Sequence, residues 1–223
     1  MQTTATERKC AHKVILATNR ISLEKLDWVG LSSDRIQNII LNSLYDVKAA
    51  KIFLAYENAW WNQTENNCDQ VNSDTPLKET LDYGTSNHGN ASVLLVGYTD
   101  SANLWNELNS RGISIEGTDL KSVMVTNETI FAINKLLAQI FNMDDDNIPR
   151  PIAGVIGMWN SYPYGGGWQL LKPGYVYSEI KEEIVKPSAH DDVFIASNAF
   201  NVNTWWVEGA MESVERVFSQ MNA

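Results

Sequence analysis

Residues 13–18 (KVILAT) form a short unbroken apolar run, the pattern of a strand buried on both faces. Asp34 then opens a stretch where Ile36, Ile39, Ile40, Leu44 and Val47 recur at helical spacing, with Ser32 or Ser33 placed to cap it. Residues 51–56 (KIFLAY) and 92–98 (SVLLVGY) read as strands, separated by a polar loop that carries Trp60 and Trp61. A helix is expected over 100–110 and another over 128–142, where Ile130, Ile133, Leu137, Ile140 and Phe141 share one side. Pro149 and Pro151 punctuate the chain before a strand at 152–159, and a Gly-rich aromatic loop follows at 161–168 (SYPYGGGW). A charged helix at 178–185, a strand at 192–197 (DVFIAS) and a helix over 206–221 complete the pattern. In that last helix Val207, Ala210, Met211, Val214, Val217 and Phe218 keep helical spacing. Strands and helices interleave without strict βαβ alternation, so the expected class is α+β or mixed α/β.

Composition narrows the function classes. The 223 residues carry 17 Lys+Arg against 27 Asp+Glu, a formal charge of -10. No basic stripe exists to displace counterions from phosphates, so nucleic acid is not expected as a partner. Hydrophobic residues make up 44% and charged residues 20%, which excludes a disordered, collagen-like or coiled-coil chain. No apolar run is long enough to span a membrane, and residues 1–13 are too polar for a signal peptide, so a soluble and cytoplasmic protein is expected in preference to a secreted one.

Generic chemical motifs are few. Cys10 and Cys68 make no CxxC and can be either a disulfide or free thiols, and His12, His88 and His190 lack metal-ligand spacing. The sequons at Asn62, Asn90 and Asn127 are about as many as chance supplies. The acidic run Asp144–Asp146 does not fit an EF-hand loop and reads as a solvated connection. There is no GxSxG, HExxH, P-loop or GxGxxG. Eight Trp stand beside eight Tyr and six Phe, an aromatic excess that these patterns leave unexplained.

Three stretches give it a context: KIFLAYENAWW (51–61) with DTPLK (74–78), LLVGYTDSANLW (94–105), and VFIASNAFNVNTWWVEGAMES (193–213). With Trp159, Pro163, Tyr164 and Gly165–Gly167 in the order W-x-x-x-P-Y-G-G-G, and with the opening KVILATNRISLEKLDW, they resemble the C-terminal half of the flavin-containing amine oxidases, L-amino-acid oxidases in particular. The resemblance runs through nearly the whole chain in the family's order. It implies a single compact unit over 1–223. Residues 20–150 would be mostly substrate-domain-like, a mixed sheet with helices, while 1–19 and 151–223 would belong to the flavin-domain side, including its C-terminal strand and helix.

The resemblance also implies roles. Lys51 matches the catalytic lysine that holds a water at flavin N5. Tyr98 matches a tyrosine that binds the substrate carboxylate, and Trp168 and Trp206 fall at the aromatic walls flanking the substrate. Trp159, Ser197, Asn198, Trp205 and Val207 fall at cofactor-facing positions, Val207 opening the helix whose amides meet the flavin C2 carbonyl. The implied cofactor is non-covalent FAD and the implied substrate an amine or amino acid. Without the family, Lys51 reads as a surface lysine, Tyr98 as a half-buried core aromatic, Trp168 as packing and Trp206 as a hydrophobic staple.

Departures from the pattern accompany the match. The Gly-rich turn that binds the ADP part of FAD has no counterpart in these residues. The family's A-G-E reads Ala196-Ser197-Asn198, and Trp205 replaces the glycine before the aromatic wall. Each added side chain would cost about 1–3 kcal/mol in a site still shaped for FAD. Two readings follow: an oxidase half complemented by a second polypeptide carrying the FAD-binding half, or a non-catalytic oxidase-fold subunit with a filled site, paired with such a partner or as a homo-oligomer.

Overall fold

The structure, a computed structural model, describes residues 10–64, 69–87, 91–113, 122–159 and 165–222. Along the chain these form β1 (Val14–Ala17), α1 (Arg20–Glu24), α2 (Asp34–Asn42), β2 (Leu44–Val47), β3 (Ala50–Tyr56), β4 (Gln70–Asn72), β5 (Glu79–Thr85) and β6 (Ser92–Thr99). There follow α3 (Ala102–Leu108), β7 (Ser122–Met124), α4 (Asn127–Phe141), β8 (Ala153–Met158), β9 (Trp168–Leu171), α5 (Tyr177–Val185), β10 (Val193–Ala196) and α6 (Val207–Met221). The class is mixed α+β. The chain divides into two compact units, 47–167 and the pair of segments 1–46 and 168–223. Residues 20–46 therefore group with the flanking segments, and 151–167 with the central one. Among the described residues no helix is long and apolar enough to cross a membrane.

The central unit is built on a six-stranded sheet of order β4-β5-β6-β3-β8-β7, antiparallel throughout. Strand β3 sits in its middle and alternates: Ala50, Ile52, Leu54 and Tyr56 are buried, while Lys51, Phe53 and Ala55 on the other face are half-buried. The buried face packs with Leu94, Val96 and Ile156 against Ile133, Leu137 and Phe141 of α4. Thr126 caps α4 by accepting the Thr129 N–H, and Asn142 closes it in the left-handed region.

In the other unit β1 pairs in parallel with β10, and β2 pairs with β9. Ile36, Ile39 and Ile40 of α2 meet Ile180 and Ile184 of α5 in one core. The Arg20 side chain is almost enclosed. Its Nε donates to Asp46 Oδ1 at 3.1 Å, and its Nη1 to Glu24 Oε2 at 3.0 Å and to the Ile40 carbonyl at 2.9 Å. Burial alone would lower its pKa, but hydrogen bonding and attraction from Asp46 and Glu24 outweigh that and raise it.

Several expectations change. The helix opened by Asp34 ends at Asn42, and Leu44 and Val47 belong to β2, because the chain there gains a ladder with β9. Trp60 and Trp61 are not in a polar loop; they form a buried turn stacked edge to face with Tyr56 and Phe141. Trp168 opens strand β9 rather than ending a loop. Strands β4, β5 and β7 lie in segments without alternation to announce them. In α6 the expected core face is turned partly outward: Val207, Met211 and Phe218 are exposed, and Gly209, Ser213 and Val217 are buried. Gly209 is required there, since a Cβ would lie 2.2 Å from the Asn203 carbonyl oxygen.

Candidate functional site

Strand register assembles the first group of side chains. Lys51 on β3 pairs with Tyr98 on β6 and, on its other side, with Gly157 on β8. Residues paired across strands project to the same face, so lysine and tyrosine lie side by side on the sheet face opposite the core. The Lys51 Nζ stands 4.6 Å from the centre of the Tyr98 ring and 5.7 Å from that of Trp159. Trp159 is placed by its own N–H, which donates to the Ala49 carbonyl at 3.1 Å. Its indole covers Gly157, whose missing Cβ would touch the ring at 3.5 Å. Three positions singled out in the sequence, Lys51, Tyr98 and Trp159, are thus neighbours.

Two contributors escaped the sequence reading. Gly157 leaves the room that the Trp159 indole occupies; the only signal was a glycine inside an apolar strand. Glu79 pairs with Tyr98 from β5 and accepts from Gln70 Nε2 at 2.7 Å, which extends the polar row across a further strand. Pro163 and Tyr164 of the glycine-rich motif, and Cys68 of the two cysteines, lie outside the described residues.

The remaining sequence-predicted positions lie in the other unit. Trp168, at the start of β9, meets Trp205 edge to face, with ring centres 5.2 Å apart and planes at 81°. Trp206 is the N-cap residue of α6 and makes no side-chain cap bond, and among the described residues no hydrogen-bond partner meets the first amides of the helix, beginning at Val207. Trp206 is 63% and Val207 67% exposed. Beside them Asn203, Trp206 and Glu208 line a concavity of about 330 Å³.

Ser197 and Asn198 are engaged by their own loop and by α6. The Ser197 N–H donates to Ser213 Oγ at 2.7 Å, and its hydroxyl accepts from the Ala199 N–H at 3.3 Å. Asn198 Nδ2 donates to the Thr204 carbonyl at 2.7 Å. For a flavin the two ends of this region differ. The open N-terminus of α6 beside an exposed indole suits a ring carbonyl. The Ser197–Asn198 turn, closed by its own hydrogen bonds, does not offer the bare backbone that a pyrophosphate–ribityl chain approaches.

No family model matches the chain. Achacin of Lissachatina fulica is 32% identical over 221 residues, which are 96% of this chain and 41% of achacin. Aplysianin-A of Aplysia kurodai is 29% identical over 218 residues, 95% of this chain and 39% of that protein. L-amino-acid oxidase 4 of Hebeloma cylindrosporum is 23% identical over 222 residues, 94% of this chain and 34% of its own length. Among solved structures, putrescine oxidase bound to putrescine superimposes with a TM-score of 0.67 at 14% identity, covering 94% of this chain and 42% of that one. Cyclohexylamine oxidase from Brevibacterium oxydans gives a TM-score of 0.66 at 13% identity, with 98% of this chain and 45% of that one covered. The chain spans about two fifths of the length of the first curated relatives it matches. In sequence the chain is similar to achacin, aplysianin-A and an L-amino-acid oxidase over at most 41% of their length, and it shares the fold of putrescine oxidase and cyclohexylamine oxidase.

Proposed function

We propose that this chain forms the substrate-facing part of an FAD-dependent amine or L-amino-acid oxidase, active when joined to a polypeptide that carries the dinucleotide-binding half. FAD, when bound, supplies a two-electron acceptor for hydride from the substrate α-carbon, with later return to the oxidised form by O2 to give H2O2 and with hydrolysis of the released imine. The observation that carries the reading is the position of Lys51 over Tyr98 and Trp159.

Ring faces attract the ammonium but accept its hydrogens only weakly. Lys51 therefore retains donors for a water, and that water is the group the family lysine orients. The Tyr98 hydroxyl, on a half-exposed side chain, is available to a substrate carboxylate. Within the other unit, Trp168 and Trp206 are the residues that the family resemblance assigns to aromatic walls, and the amides opening α6 at Val207 would stabilise negative charge on a carbonyl oxygen.

A second reading has its own observation. The Trp205 indole pressed against Trp168, with Ser197 and Asn198 bonded inward, favours an oxidase fold whose site has been filled and which serves as a binding or structural subunit. The test is recovery of the tagged chain from its source together with whatever polypeptide it is joined or bound to. Flavin absorption that bleaches anaerobically with an amine or L-amino acid, and peroxide release in air, are expected. An assembly that is colourless and stays so after FAD is added overturns the oxidase reading in favour of the filled one.

A further inference from the structure

The turn before β5 sets a strained lysine beside Tyr98. Two non-glycine residues among those described have positive φ: Asn142, which closes α4, and Lys78, at 64°. Lys78 and Glu79 both pair with Tyr98, so two residues oppose one, a β-bulge whose first member is left-handed. Glycine ordinarily takes that place, because a Cβ is disfavoured there. A lysine in it lowers stability and persists only where the surroundings over-determine the backbone.

Here they do. Leu77 is wholly buried and fills the gap at Gly97, whose missing Cβ would lie 3.1 Å from Leu77 Cδ2. The Pro76 carbonyl accepts from Thr99 Oγ1 at 2.8 Å and from Trp105 Nε1 at 3.1 Å. The Lys78 N–H donates to the Thr75 carbonyl at 3.1 Å, and the Lys78 carbonyl accepts from the Ser73 N–H at 2.7 Å. Leu77 and Thr80 are buried, whereas Lys78 is exposed and Glu79 half-buried, so the latter two lie away from the core, as Lys51 and Tyr98 do. Among the described residues Lys78 forms no ion pair with Asp74 or Glu79, and Glu79 is engaged by Gln70. Lys51 and Lys78 with the single carboxylate of Glu79 make a locally positive group around Tyr98, in a chain whose formal charge is -10.

We infer that Lys78 binds the substrate carboxylate together with the Tyr98 hydroxyl, and so selects L-amino acids over simple amines. This rests on the oxidase reading above and narrows its substrate class. A carboxylate has acceptors enough for both donors, and its hydrogen bond to an ammonium is about twice as strong as a neutral one. A simple amine gives neither donor an anion to hold. The strain at Lys78 is then the cost of setting a cation where glycine would leave none.

Lys78→Gly isolates this role, because glycine relaxes the bulge while removing the ammonium. In the native flavin-bearing assembly, L-phenylalanine and L-lysine are compared with phenylethylamine and cadaverine, the same molecules without the carboxyl group. The variant is expected to raise KM for the amino acids about tenfold or more with kcat little changed, and to leave the amines unaltered. It should melt no earlier than the parent, and Lys78→Arg should recover most of the affinity. Hydrocinnamate, which has the carboxylate and no amine, reads binding without turnover; its Kd by calorimetry should rise by the same factor. Equal losses for amino acids and amines, or none for either, overturn the inference and leave the oxidase reading standing, as does a parent assembly that oxidises the amines alone. Hydrocinnamate binding that depends on Lys78 in a colourless assembly does the reverse, and an assembly that neither bleaches nor binds hydrocinnamate overturns both.

Discussion

Trp205 sets its indole edge to face with Trp168, so the tryptophan at the position where the resemblance would place a glycine touches the residue proposed above as an aromatic wall. Such a pair contributes about 0.5–1.5 kcal/mol beyond area burial. Trp205→Gly should lower stability by about that amount, shift the remaining tryptophan emission to the red as Trp168 gains solvent, and strengthen flavin uptake. Fluorescence and FAD titration of the variant beside the parent check both halves; unchanged flavin uptake would clear Trp205 of blocking the site.

Lys51 separates chemistry from architecture. Lys51→Met keeps an unbranched stem over the Tyr98 and Trp159 rings and removes the ammonium. A partly exposed cation–π contact is worth about 0.5–1 kcal/mol, so unfolding should shift little. In the flavin-bearing assembly, peroxide release should fall about 100-fold or more while the absorption bands persist. Loss of the bands together with activity would make Lys51 a structural residue.

Much of this arrangement is visible in the sequence, and the reasons for the remainder are physical. The strand over 51–56 is legible from its apolar run, and of the two serines placed to cap α2 it is Ser33 that does so; that Lys51 stands opposite the core follows from the burial alternation of the folded strand. The end of α2 is hidden because Leu44 and Val47 satisfy helical spacing by coincidence; their strand forms only with β9, more than a hundred residues away. Trp60 and Trp61 are masked by polar neighbours, and their burial depends on α4 closing over them. The meeting of Lys51, Tyr98 and Trp159 depends on register across three strands, which local pattern does not encode; family resemblance marked the residues, and the sheet brought them together.

Arg20 is the clearest stability prediction. Its guanidinium joins α1, α2 and β2 through Glu24, the Ile40 carbonyl and Asp46, with Gln169 Nε2 also donating to Asp46 Oδ1 at 3.3 Å. Arg20→Met leaves Asp46 without its cation and the Ile40 carbonyl without this donor. The loss should be about 3 kcal/mol, the lower end for a broken buried pair because Asp46 keeps some solvent. Arg20→Lys should recover only part of it, since a point charge cannot grip both Asp46 oxygens. Urea unfolding of the three proteins decides the order.

Asp192 offers a pH test at the edge of the same unit. A hydrogen bond from Lys186 at 3.0 Å, with attraction from Lys186 and Lys13, holds its carboxyl below the ordinary value of 3.8. The sign follows: the pairing is fully present above the unfolded pKa and is lost as pH falls through the lower folded one. The group is solvent-exposed, so a local titration is the proper readout. The side-chain carboxyl resonance should titrate below 3.8 in the native protein and move upward in Lys186→Met.

Tyr56 gives the least intuitive prediction, a deletion that stabilises. Its ring packs edge to face against Trp60 and Trp61, but among the described residues its buried hydroxyl has no hydrogen-bond partner, and burial pushes its ionisation well above the usual range. The indole N–H groups of Trp60 and Trp61 likewise find no partner among the described residues. An unsatisfied buried polar atom costs about 1–3 kcal/mol, whereas removing it without changing the packed ring loses nearly nothing. Tyr56→Phe should therefore raise stability by up to ~1 kcal/mol, a rise of a few degrees in Tm for a chain of this size. If the variant instead melts earlier, the hydroxyl has a partner in solution, and a water bridging it to the Trp60 or Trp61 N–H is the one the cluster's chemistry specifies.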